Sequence, residues 1–140
     1  MALKVERTDV WAAGIEDKPG GLNAKLADLA DAGANFEFVF ARRTTDRPGE
    51  GVVFVTPLKG AKILRAAANL GFNKVERIHS LRVEASDKPG LGAQITRRIA
   101  DSRISVRGFS GAKLGNKAIF YLAFDNAEDA VAAMKALKKA

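Results

Sequence analysis

The sequence predicts an α+β protein built from two ferredoxin-like βαββαβ modules, with antiparallel sheets and helices on one face of each. Three observations carry that prediction. Lys4-Val5-Glu6-Arg7 and Asp17-Lys18-Pro19-Gly20 return at one common offset as Lys74-Val75-Glu76-Arg77 and Asp87-Lys88-Pro89-Gly90. A half-length of roughly 70 residues suits one small domain better than a solenoid repeat. Apolar positions also switch between period two and helical spacing in the same order in both halves.

In the first copy, Val5 to Ile15 reads as an extended run holding Val10 and Trp11. Leu22, Leu26, Leu29 and Ala30 then recur at helical spacing until Gly33, a residue suited to a left-handed helix exit. Asn35 to Ala41 alternates Phe36, Phe38 and Phe40 with other residues, which predicts a strand. The turn 46–51 leads into a returning strand, Val52 to Val55. Thr56 offers a cap with Pro57 at the first helical position, and Ile63, Leu64, Ala67 and Leu70 supply an apolar face that stops at Gly71.

The second copy repeats the order: an extended run from Val75 to Ala85, a helix carrying Leu91, Ile95 and Ile99, and strands 104–109 and 118–124. Asp125 or Asn126 caps a last helix with Glu128 and Asp129 in its first turn, where the helix dipole favours acids. The domains expected are residues 1–72 and 73–140. The second copy lacks a closing strand, so residues 3–8 are expected to supply one by strand exchange, in their own chain or in a homodimer.

The chain has 140 residues, a formal net charge of +7, one histidine and no cysteine. Without cysteine it holds neither a thiolate nucleophile nor a cysteine metal site. The first residues contain no apolar segment and include Glu6, which argues against a signal peptide, and no run approaches the ~20 apolar residues of a membrane span. A cytoplasmic location is expected, with no membrane partner. The positive charge concentrates in the second copy, from Arg97 to Lys139, and reads mainly as a solvated face.

The loop Asp17-Lys18-Pro19-Gly20-Gly21-Leu22, set between a strand and a helix, resembles the first strand-to-helix loop of the ACT domain, a small-molecule-sensing module of amino-acid metabolism. The resemblance covers the chain as two tandem copies. Copy one matches at Asp17, Pro19, Gly20 and Leu22, then at Gly33 and Asn35 with Ala34 between them; copy two matches at Asp87, Pro89 and Gly90. Copy two departs where Leu91-Gly92 brings the leucine one position early, and where Arg103-Ile104-Ser105 replaces Gly33-Ala34-Asn35. The resemblance implies a non-catalytic regulatory protein that binds an amino acid or related metabolite, needs no cofactor, and passes its signal through assembly or a separate protein partner. The ligand residues it implies are Asp17, Pro19, Gly20, Gly21, Leu22 and Asn35, with Asp87, Gly90, Leu91 and Ser105 as their second-copy counterparts.

The chemistry of such a loop suits that ligand. Glycines let a ligand approach the backbone, free N–H groups at a helix start attract a carboxylate, and Asp17 or Asp87 can meet an ammonium group. By itself Asp-Lys-Pro-Gly also reads simply as a turn before a helix, with Pro19 and Pro89 setting the bend. His79 has no nucleophile to pair with, and no phosphate-binding or dinucleotide-binding glycine pattern occurs, so no catalytic residue is expected. An alternative is RNA binding through the basic second copy; such domains stack bases on aromatics of one open sheet face, whereas here Phe120 and Phe124 share a face and Tyr121 lies on the other.

Overall fold

The structure is a computed structural model that describes residues 2–138. Its elements run β1 (Lys4–Thr8), β2 (Trp11–Glu16), α1 (Gly21–Asp31), β3 (Phe38–Arg43), β4 (Glu50–Thr56), α2 (Ala61–Asn69) and β5 (Asn73–Lys74). They continue as β6 (His79–Ser86), α3 (Leu91–Asp101), β7 (Gly108–Leu114), β8 (Lys117–Phe124) and α4 (Ala127–Lys138). The strands form two four-stranded antiparallel sheets, ordered β3-β4-β2-β5 and β1-β6-β8-β7. This is the expected α+β class with two ferredoxin-like modules.

The division of the chain differs from a cut between residues 72 and 73. One compact unit is Asp9–Val75, and the other is made of the stretches flanking it, Met1–Thr8 and Glu76–Ala140. In the inserted unit β5 pairs with β2, Trp11 opposite Lys74 and Ala12 opposite Asn73. In the flanking unit β1 occupies the corresponding edge, running antiparallel to β6 from Lys4 opposite Glu84 to Thr8 opposite Ser80. The run read as one extended segment is therefore two strands in two sheets, separated at Asp9 and Val10.

The duplicated Lys-Val-Glu-Arg blocks do not pair alike. Lys74 sits opposite Trp11, whereas the partner of Lys4 is Glu84, well beyond Leu81, the repeat counterpart of Trp11. Packing explains the slip. Val5 is buried beside Val83 in the flanking unit, while the inserted unit has the smaller Ala13 at that point of β2 and buries Phe72 instead. A phenylalanine over an alanine fills about the volume of two valines, and close packing selects the register that achieves it.

Each core lies between its sheet and its helices. Leu29, Val53, Val55, Leu58 and Phe72 form that of the inserted unit. Leu81, Val83, Ile95, Ile99, Leu122, Phe124 and Leu137 form that of the flanking unit. Each such side chain contributes about 1.5–3 kcal/mol on full burial. The expected cap at Thr56 is not one: α2 starts at Ala61, and the buried Thr56 hydroxyl donates to the Asp9 carbonyl at 2.7 Å across the end of the strand. Asn126 does cap α4, its Oδ1 accepting the Asp129 N–H at 2.8 Å.

Candidate functional site

Strand β2 ends at Glu16, and the chain reverses into α1 through Asp17-Lys18-Pro19-Gly20. The Asp17 N–H donates to the Gly49 carbonyl at 3.0 Å and the Gly21 N–H to the Lys18 carbonyl at 3.0 Å, which pins the loop to the β3–β4 turn and closes it on itself. Gly20 has φ of 85°, a left-handed conformation that costs an L side chain roughly 1–2 kcal/mol. Gly21 answers a different need: a Cβ there would lie 2.0 Å from the Glu16 carbonyl oxygen, so the loop closes tightly only over glycine. No side chain caps the first turn of α1.

Beside this loop lies an open cavity of about 700 Å³. Gly14, Gly20, Gly21 and Gly51 line it, together with Glu16, Lys18, Lys25, Arg47 and Glu50. Gly14 and Val52 are ladder partners, as are Ile15 and Gly51 and then Glu16 and Glu50, so two adjacent strands bring both glutamates to one end of the sheet. Lys18 Nζ stands 2.7 Å from Glu16; the hydrogen bond and charge of Lys18 hold the Glu16 carboxyl below its ordinary pKa, and Glu16 raises that of Lys18. Arg47 and Glu50 are 3.9 Å apart. Lys25 donates to the Leu70 carbonyl at the exit of α2.

A smaller cavity of about 210 Å³ shares Ile15, Glu16, Lys18 and Gly51 with the first and adds Asp17, Leu22 and Arg43. Of the residues expected from the sequence, Gly20 and Gly21 line the larger cavity and Asp17 and Leu22 the smaller. Pro19 and Asn35 are exposed and line neither. The Asp17 carboxylate is engaged by Arg43 Nε at 2.8 Å. Sequence reasoning missed Gly14, Lys25, Arg47, Glu50 and Gly51. A signal existed in Gly14 and Gly51, glycines inside strand patterns, which mark close approach or open space.

The second copy fills the same region. Gly90 repeats the left-handed start, with φ of 80°, but Leu91 stands where copy one has Gly21 and is buried in the core. Glu84 holds the place of Gly14, within 3.9 Å of Lys117, and Ala118 that of Gly51. The Phe120 ring takes the room of Leu22, for a Cβ on Gly92 would lie 3.5 Å from it. Asp87 is engaged by Lys113 at 2.9 Å, and Ser105 is exposed in the loop before β7. Phe124 is fully buried and Phe120 packs on the same core, so these rings offer no base-stacking platform.

Among the described residues no group of three His, Cys, Asp or Glu side chains could hold a metal ion, and no helix is long and apolar enough to cross a membrane. No protein-family profile matches the chain, and no curated protein matches it. Solved structures do. A protein from Bacteroides thetaiotaomicron is similar at a TM-score of 0.80 and 14% identity, over 96% of this chain and 90% of that one. The ligand-free regulatory subunit of aspartate kinase from Thermus thermophilus is similar at 0.65 and 16% identity, over 100% and 97%. That from Thermus flavus is similar at 0.59 and 18% identity, over 97% and 93%. The chain thus has the two-module fold of aspartate kinase regulatory subunits, the tandem ACT arrangement that its sequence resembles.

Proposed function

We propose that this chain is a non-catalytic sensor that binds an amino acid or a closely related metabolite in the cavity beside the β2–α1 loop of the inserted unit. The observation that carries the reading is the cavity itself: four glycines line it, and carboxylates and cations line it with them. A zwitterion needs both signs of charge within one small volume, and close backbone approach needs glycine. The regulatory fold shared with the aspartate kinase subunits supports the same reading. The filled second copy limits binding to one ligand per chain, with Asp87, Gly90, Leu91 and Ser105 serving structure. Assembly as a homodimer and a separate protein partner complete the proposal.

Gly14→Val tests it. A Cβ at Gly14 would meet only the Gly51 carbonyl, at 4.0 Å, so valine suits the strand while its methyl groups enter the cavity. Ligand binding to the native state raises its melting temperature by mass action. At least one common amino acid should shift wild type and leave Gly14→Val unmoved. Wild type that no amino acid shifts, or a valine variant that binds equally, would refute the assignment.

A further inference from the structure

Resting on that reading, we infer that the cavity selects ligands bearing two carboxylates and one ammonium group, that is, acidic amino acids, and that Lys25 is the residue that makes the selection. Three cations, Lys18, Lys25 and Arg47, line the cavity against two carboxylates, Glu16 and Glu50. Two of the cations are matched: Lys18 lies 2.7 Å from Glu16 and Arg47 3.9 Å from Glu50. Lys25 faces no carboxylate within ion-pair distance among the described residues. Its ammonium makes one hydrogen bond, to the Leu70 main-chain carbonyl, and two of its three donors remain.

Lys25 is half-buried, so water screens its charge less than that of the exposed Lys18 and Arg47. A neutral zwitterion entering such a site leaves one positive charge uncompensated. A ligand with net charge of −1 cancels it, its side-chain carboxylate accepting from Lys25. Glu50, whose own cation is the more distant of the two, is then the partner of the ligand ammonium. The flanking unit makes the contrast plain. There Arg98 reaches the Leu137 carbonyl at 3.2 Å, much as Lys25 reaches Leu70, while the repeat counterpart of Lys25 itself is Ile95, fully buried in the core. A cation from the first helix serves the end of the second helix in both units, and in the inserted unit that cation also lines the cavity at the first loop.

The test compares L-glutamate with L-glutamine by titration calorimetry, because the two differ by one carboxylate and hardly in shape. Wild type should bind glutamate at least tenfold more tightly than glutamine. Lys25→Gln, whose amide can still donate to the Leu70 carbonyl, should bring the ratio near one by weakening glutamate alone while glutamine affinity holds, which loss of a merely structural contact would not do. Lys25→Arg should keep the preference. A ratio near one in wild type, or a preference that survives in Lys25→Gln, would overturn the inference. So would wild type that binds neither ligand. Binding of other amino acids that Gly14→Val abolishes would then leave the sensor reading standing without this selectivity.

Discussion

Arg43 Nε donates to the Asp17 carboxylate at 2.8 Å, and Lys113 holds Asp87 at 2.9 Å at the matching point of the second copy. Each pair ties the strand-to-helix loop to the next strand, so the aspartates named as ammonium partners already have cations of their own. Asp17→Asn should therefore change amino-acid affinity less than about threefold and cost only ~0.2–1 kcal/mol of stability, the range for exposed pairs. Urea unfolding and calorimetry check both figures. A loss of affinity like that of Gly14→Val would return Asp17 to the binding site.

Gly21→Ala sets a methyl group 2.0 Å from the Glu16 carbonyl oxygen, and the loop must move to admit it. A loss of about 1–3 kcal/mol is expected, as for overpacking elsewhere. Gly20→Ala meets no neighbour and pays only for its left-handed backbone. Denaturant midpoints of the two variants should rank Gly21→Ala as the less stable.

Arg103, with φ of 61°, is the one non-glycine residue of positive φ among those described, and its N–H closes the end of α3 onto the Ala100 carbonyl at 2.9 Å. Copy one has Gly33 at this point, with φ of 98°. Arg103→Gly should raise stability by ~1 kcal/mol, visible as a higher melting temperature, because a left-handed helix exit is the conformation glycine enters without steric cost.

Glu16 and Lys18 predict a pH window. The depressed pKa of Glu16 contributes stability above its unfolded value, lost as pH falls through the folded one; the raised pKa of Lys18 contributes below its unfolded value, lost as pH rises through the folded one. The small stability gap between wild type and Glu16→Gln should be flat from about pH 5 to 10 and shrink outside it. Both groups are exposed, so 1 M salt should nearly abolish it. A gap that keeps its size at pH 3 would show that the pair is not its source.

Deleting residues 1–8 removes the strand that covers β6 and takes Val5 from the core. Such a bare edge invites association. The truncated chain should lose a few kcal/mol and aggregate, and in the intact chain the alternate amides of Lys4 to Thr8 that face β6 should exchange slowly. Fast exchange there with unchanged stability would contradict the pairing.

Much of this was legible in the sequence because periodicity reports burial directly. The helix faces of Leu29 and of Ile95 with Ile99 are what a one-sided core requires, whereas 52–55 and 118–124 are apolar at successive positions, so the sequence alone does not say which face of these strands meets the core. Strand starts were less legible: β3 and β7 begin at Phe38 and Gly108, later than the apolar residues Phe36 and Ile104, which pack on the core from the preceding loops. The repeat of Lys-Val-Glu-Arg carried no information on register, because identical letters pair according to the volume of what lies opposite. The site was half visible. Its glycines stand in the loop motif, whereas Lys25, Arg47 and Glu50 meet only once α1 and the β3–β4 turn are brought to one end of the sheet.

The inserted unit has a consequence for the order in which the chain comes together. Asp9 to Val75 contains all four strands of its own sheet, so that unit can close as soon as its last residues are available. Strand β1 is made before any of it, yet its partner β6 lies beyond the whole of it. Until β6 arrives, Lys4 to Thr8 must wait unpaired, and the pairing that finishes the flanking sheet is the most non-local in the chain, the kind that folds late and slowly.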